Sequence, residues 1–118
     1  MFPIYGARLF DNGAQGRRIL VDRLWPRGVR KDAGLFDEWV RDAAPSTPLR
    51  LWYGHAPERF EEFVRRYREE LRDDGHRAAV ELLLDRAATA PLVLLTTSRE
   101  FTISHVPVLK AFLEDARG

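Results

Sequence analysis

Apolar positions fall into two uninterrupted runs and, between them, into stripes spaced for helices. Ile19, Leu20 and Val21 follow one another without alternation, and so do Leu92 to Leu95. Short runs of this kind fit strands buried on both faces, as in the middle of a parallel or mixed sheet. Ala7 to Phe10 predicts a first short strand, Asp11 to Gly16 has turn chemistry, and Arg18 to Leu24 reads as the second strand. A connection this short holds no crossover helix, so the residues favour a hairpin between the first two strands.

Most of the remaining pattern is helical. Phe36, Trp39 and Val40 predict a short helix with Asp37 and Glu38 near its start, ended by Pro45. Thr47-Pro48 reads as a cap followed by a first-turn proline, leading a brief helix that stops at Gly54. From Pro57 onward Phe60, Phe63, Val64, Tyr67 and Leu71 share one face, with Glu and Arg on the other and Gly75 as the stop. Ala79, Val80, Leu83, Leu84 and Ala87 mark another helix, and Pro91 introduces the late strand. A last helix, about Ser104 to Ala116, carries Val108, Leu109, Phe112 and Leu113 inward. Strands at both ends with helices between them predict an α/β fold. The expected architecture is a small, mainly parallel or mixed central sheet flanked by helices, and 118 residues make one domain.

Charge narrows the function classes. Lysine and arginine number 19 against 18 acidic residues, a net charge of +1, so no global field draws the chain to nucleic acid or membrane. A nucleic-acid partner would need a local basic patch. Without cysteine there is no disulfide framework, thiolate zinc site or cysteine nucleophile. No phosphate-binding glycine loop, dinucleotide fingerprint, nucleophile elbow or zinc-protease histidine pair occurs, so no cofactor is expected. His55, His76 and His105 lack local metal spacing; a metal site assembled from His55, His105 and Asp22 is geometrically open but not favoured. Met1 to Gly6 lack the basic and apolar segments of a signal peptide, and no apolar run has membrane length, so a cytoplasmic protein is expected.

The candidate chemistry gathers where the first aliphatic run ends, in Asp22-Arg23-Leu24-Trp25-Pro26-Arg27-Gly28. An isolated ion inside an apolar sheet costs several kcal/mol, so Asp22 and Arg23 belong at the lip of a crevice. Such lips, at the carboxyl ends of strands, are where open α/β sheets bind ligands. Arg23 and Arg27 are suited to gripping a phosphate or carboxylate, with Asp22 orienting them or acting as a general base and Trp25 walling the site. A structural ion-pair network pinning the loop is the competing reading. Ser104 is a good helix N-cap, and His105 in the first turn would be held neutral and fit for proton transfer. Arg50, Trp52, Tyr53 and His55 would line the opposite wall, although Trp and Tyr in a short helix are more often core. Thr96 to Arg99 offer a weaker hydroxyl signal. Arg65, Arg66, Arg68 and Arg72 with Glu61, Glu62, Glu69 and Glu70 read as a solvated helix face, not a nucleic-acid stripe.

In these residues the chain resembles the YeaO-like proteins, a bacterial group classed as a domain of unknown function. The likeness rests on Arg18 to Gly28, on Asp37-Glu38-Trp39, and on Pro45-Ser46-Thr47 leading to Leu49-Arg50. It continues through Phe60, Tyr67, Glu70-Leu71 and the final helix after His105. The chain departs from the family pattern at Ser104-His105-Val106, where Asn-His-Ala is usual, and at Thr96-Thr97, where the strand end is Tyr-rich. More distant relatives carry a cysteine beside the histidine, and its absence here argues against thiol chemistry. The resemblance implies a small parallel sheet, against the hairpin, and implies no established activity. The expectation is a pocket that takes a small anionic ligand, with cofactor-independent catalysis by His105 and Asp22; a non-catalytic nucleic-acid- or protein-binding module is the alternative.

Overall fold

The computed structural model describes residues 2–11 and 13–118, so Asn12 of the expected turn and Met1 lie outside the described residues. Four strands form one sheet: β1 (Ile4–Arg8), β2 (Arg17–Leu20), β3 (Glu38–Trp39) and β4 (Leu92–Thr96), in the spatial order β1-β4-β2-β3. Every pairing is parallel. Four helices follow the chain as α1 (Thr47–Tyr53), α2 (Phe60–Leu71), α3 (Asp74–Thr89) and α4 (His105–Ala116). The chain is an α/β protein.

The hairpin expectation is overturned. β4 inserts between β1 and β2, with Gly6 beside Leu94 on one side and Ile19 beside Leu94 on the other. A crossover needs length, not a helix. A five-residue strand rises ~17 Å, and the eight residues from Leu9 to Gly16 can span up to ~26 Å when extended. The return run therefore needs no helix. Gly16 makes it fit: its backbone lies so close to the Pro91 carbonyl that a Cβ would sit 2.5 Å from the oxygen. Arg17 N–H then donates to that carbonyl at 2.8 Å and starts the pairing with β4.

The helix expected over Phe36–Val40 is also overturned. Glu38–Trp39 is a strand beside β2, extended by bonds from Asp37 N–H to Arg18 O and from Val40 N–H to Leu20 O. The spacing of Phe36, Trp39 and Val40 fits either period, and the sheet edge decides it. Trp39 faces one side of the sheet and Val40 the other, as successive strand residues must. Ser46, not Thr47, caps α1, with its hydroxyl accepting from Leu49 N–H. Asp73 caps α3, so Gly75 lies in the first turn of α3 instead of ending α2.

Helices cover only one face. Ile4, Ile19, Val21, Leu92 and Leu94 point into a large core with residues of α1 to α4. Gly6 lets α4 approach, because a Cβ there would meet Val106 and Phe101 at 2.8 and 2.9 Å. On the opposite face Leu9, Leu20, Val93 and Leu95 are covered by the loops after β1 and β2, through Ala14, Val29, Leu35 and Phe36, and by Trp39 of β3. Arg18 ties those loops down by donating to Leu35 O and Leu9 O, both at 2.9 Å. Among the described residues no helix is long and apolar enough to cross a membrane.

Candidate functional site

A recess of about 370 Å³ opens at the carboxyl ends of β2 and β4. Asp22 to Arg27, leaving β2, form one side, and Thr96 to Ser98, leaving β4, form the floor. Ala44, Pro45, Arg50, Tyr53 and His55 close the far side, and Phe63 and His105 lie at the back. Its volume falls near the lower end of the ~300–1,000 Å³ common for small-molecule pockets.

The structure brings Asp22, Arg23, Trp25, Arg27, Arg50 and His105 to this recess. It leaves two candidates out. Trp52 lies outside the recess, half-buried against the core, with the Arg66 and Arg59 guanidiniums 4.2 and 5.3 Å from its ring centroid. Consecutive helix residues point about 100° apart, so Tyr53 turns inward and Trp52 cannot. Ser104 is fully buried as the cap of α4, donating to Phe101 O at 2.7 Å and accepting from Val106 N–H.

Asp22 is fixed by the strand next door. Its Oδ2 accepts from Thr97 N–H at 2.8 Å and from Thr97 Oγ1 at 2.9 Å. It bonds neither arginine, so the expected orienting role toward Arg23 and Arg27 is corrected. Its Oδ1 is buried and unpaired, 3.6 Å from His105 Nε2. That Nε2 instead donates to Val21 O at 2.9 Å, since a carbonyl can only accept. Burial lowers the pKa of His105, His55 lowers it further, and Asp22 with the Val21 carbonyl opposes them. Burial therefore favours the neutral imidazole, with its proton on the Nε2 that donates to Val21 O.

Arg23 is turned into the fold. It donates to Ala44 O at 3.0 Å, makes longer bonds to Pro45 O at 3.3 and 3.4 Å, and pairs with Asp42 at 3.4 Å. The wall it holds is pinned from behind as well. Tyr67 Oη donates to Ala43 O at 2.6 Å, and His76 Nε2 donates to Ala44 O at 2.8 Å. Glu70 accepts from Ser46 N–H at 2.8 Å. Trp25 donates its indole N–H to Val29 O and meets Phe36 and Trp39 edge-to-face, which presents a rigid ring to the recess.

Arg27 and Arg50 are different. Neither has a carboxylate partner among the described residues, and Arg50 Nε is buried without any hydrogen bond. Arg27 is exposed at the mouth. His55 lines the same wall from a left-handed backbone, φ 56°, rare for a residue with a side chain. Ser98 is the residue that sequence reasoning undervalued: its Oγ is buried and unpaired in the recess. Only its place after an apolar run hinted at it. Among the described residues no three His, Asp or Glu side chains gather closely enough to hold a metal ion.

A parallel sheet with helices on one face and a cationic recess at its carboxyl ends defines a small α/β domain built around one crevice. The family model described as the inactive DUF488-N3 subclade matches residues 4–117, and the chain belongs to that family. The uncharacterized protein Rv3073c of Mycobacterium tuberculosis (strain ATCC 25618 / H37Rv) is 46% identical over 98 residues, covering 83% of this chain and 80% of that protein. The uncharacterized protein YeaO of Escherichia coli (strain K12) is 38% identical over 108 residues, covering 90% of this chain and 92% of its own. The likeness to YeaO read from the residues therefore holds. No solved structure matches the chain.

Proposed function

We propose that this protein binds a small phosphate- or carboxylate-bearing molecule in the recess and does not convert it. One observation carries the reading: Arg27 and Arg50 face a shared concave site and have no carboxylate partner there among the described residues. An unpaired buried guanidinium nitrogen costs stability, and an anionic ligand offsets that cost. Guanidinium groups also match phosphate and carboxylate in bidentate geometry. Binding without turnover accords with the bonds of the two candidate catalysts. His105 Nε2 is committed to Val21 O, and Asp22 Oδ2 to Thr97. It also accords with the family's description as inactive.

The test is thermal-shift and calorimetric titration with inorganic phosphate, pyrophosphate, ribose 5-phosphate and citrate. At least one should bind, and Arg27→Ala and Arg50→Ala should each weaken it ~10-fold or more, as loss of a charge-assisted hydrogen bond implies. Binding of none, or binding indifferent to both substitutions, overturns the proposal. Phosphorus NMR of the bound phosphates checks the second half. Conversion of any of them, abolished by His105→Asn, would restore a catalytic role to His105 and Asp22 and overturn binding without turnover.

A further inference from the structure

Four buried side-chain polar atoms among the described residues have no hydrogen-bond partner: Arg8 Nε, Asp22 Oδ1, Arg50 Nε and Ser98 Oγ. Three of them belong to residues lining the recess. Buried polar atoms in folded proteins are overwhelmingly paired, so orphans gathered in one crevice point to a function for the crevice. Their types differ in a way that describes the missing partner. Arg50 Nε is a donor and needs an acceptor. Asp22 Oδ1 is a carboxylate oxygen and needs a donor. Ser98 Oγ takes either.

We infer that the ligand is an organic anion that also offers a hydroxyl or N–H group to Asp22, not a bare inorganic anion. This rests on the anion-binding reading and specifies its ligand. His105 does not meet the need: its Nε2 stands 3.6 Å from Oδ1 and its proton goes to Val21 O at 2.9 Å. Nor can the carboxylate swing away, because Thr97 holds the other oxygen with two bonds. Inside a cationic recess, that fixed negative oxygen repels an anion with no donor of its own. A molecule pairing its anionic head with Arg27 and Arg50 and a hydroxyl with Asp22 satisfies both signs of charge at once. Like charges set against one another in a site are a known device for rejecting the wrong partner.

The experiment compares three ligands by calorimetry at pH 8, where phosphate monoesters are ionised: ribose 5-phosphate, n-butyl phosphate, which keeps the head group but has no hydroxyl beyond it, and sulfate, which has no proton to donate. The wild-type protein should bind ribose 5-phosphate at least ~10-fold more tightly than either other, about the worth of one hydrogen bond to a charged group. Asp22→Asn should shrink that preference to within about threefold, because the repulsion disappears, and should tighten sulfate. Ser98→Ala should narrow the preference as well, and it carries the test if Asp22→Asn does not fold. Equal binding of all three, still weakened by Arg27→Ala, overturns the donor requirement and leaves the anion site standing. Binding of none overturns both.

Discussion

The outer face of α2 and the mouth of the recess use the same residue to opposite ends. On α2, Arg65 bonds Glu62 and Glu69, and Arg66 bonds Glu62, so both of these guanidiniums have a carboxylate. Hydrogen bonds from Arg65 and Arg66 hold the Glu62 carboxyl down to about 2. In the recess, Arg27 and Arg50 have none among the described residues, and the nearby acid, Asp22, answers to Thr97. A net charge of +1 hides this, because it sums a neutralised face and an unneutralised one. Whether a charge is available for binding depends on what already occupies it. Arg23 makes the point within the recess itself: it lines the wall, yet its donors are spent on Ala44, Pro45 and Asp42.

The largest effect should come from breaking that third kind of arginine. Arg23→Ala strips the Pro45 carbonyl of its donor and leaves the Ala44 carbonyl to His76 alone. Hydrogen bonds from a charged donor are worth ~1.5–3 kcal/mol, so a loss of about 2 kcal/mol in urea unfolding is expected. Arg23→Lys should restore little, because an ammonium cannot span two carbonyls as a fork does. A cost near zero would mean that Arg23 is as uncommitted as Arg27, and the contrast drawn here would fail.

His105 supplies the next effect, through pH. Its pKa is lowered in the fold below the ordinary value of 6.5, chiefly by burial. Below 6.5 the unfolded chain takes up a proton that the folded chain refuses, so stability is fully present above that value and falls as pH drops toward the folded pKa. Each unit of lowering is worth about 1.4 kcal/mol at the extreme. His105→Asn should remove this part of the slope between pH 6.5 and 5. The carboxylates held low in the fold, Glu38 by Arg86 and Asp73 by His76 against its burial, act at lower pH and should remain. An unchanged slope would show that the imidazole is not held neutral.

These contrasts explain how much could be read before the fold was known. The two aliphatic runs mark β2 and β4, and the charged residues after β2 stand at the lip, because an apolar run that ends in charge must end near water. Arg27 and His105 fall on one recess for the same reason: both follow strands that are neighbours in the sheet. The order of the strands was not legible. β1 and β2 are close in sequence, but β4 pairs with both, and that choice is made by long-range packing of Leu94 between Gly6 and Ile19. Nor could sequence tell Arg23 from Arg27. Their difference lies in carbonyls of Ala44 and Pro45, and a carbonyl has no sequence signature.

Arg50 gives a smaller effect with an unusual sign. Its Nε is buried and unpaired, so Arg50→Met removes an unsatisfied buried donor while keeping much of the side chain's packing. The protein should gain ~0.5–1 kcal/mol while losing anion affinity, the exchange expected where a site holds a strained group for use. Loss of stability would mean that Arg50 is structural, and that a partner in the fold satisfies it.

The smallest effect belongs to α2. Glu62→Gln deletes the carboxylate shared by Arg65 and Arg66, the centre of the most complete charge network on the surface. Both arginines are largely solvated there, and exposed ion pairs add little because water and salt screen them and the long side chains lose freedom in forming them. Glu69 also remains for Arg65. The urea midpoint should stay within error of the wild type at physiological salt, and the affinity of the recess for its anion should not change. A measurable gain in anion affinity would show that α2 neutralises the recess at a distance, and that the two groups of arginines are one field and not two.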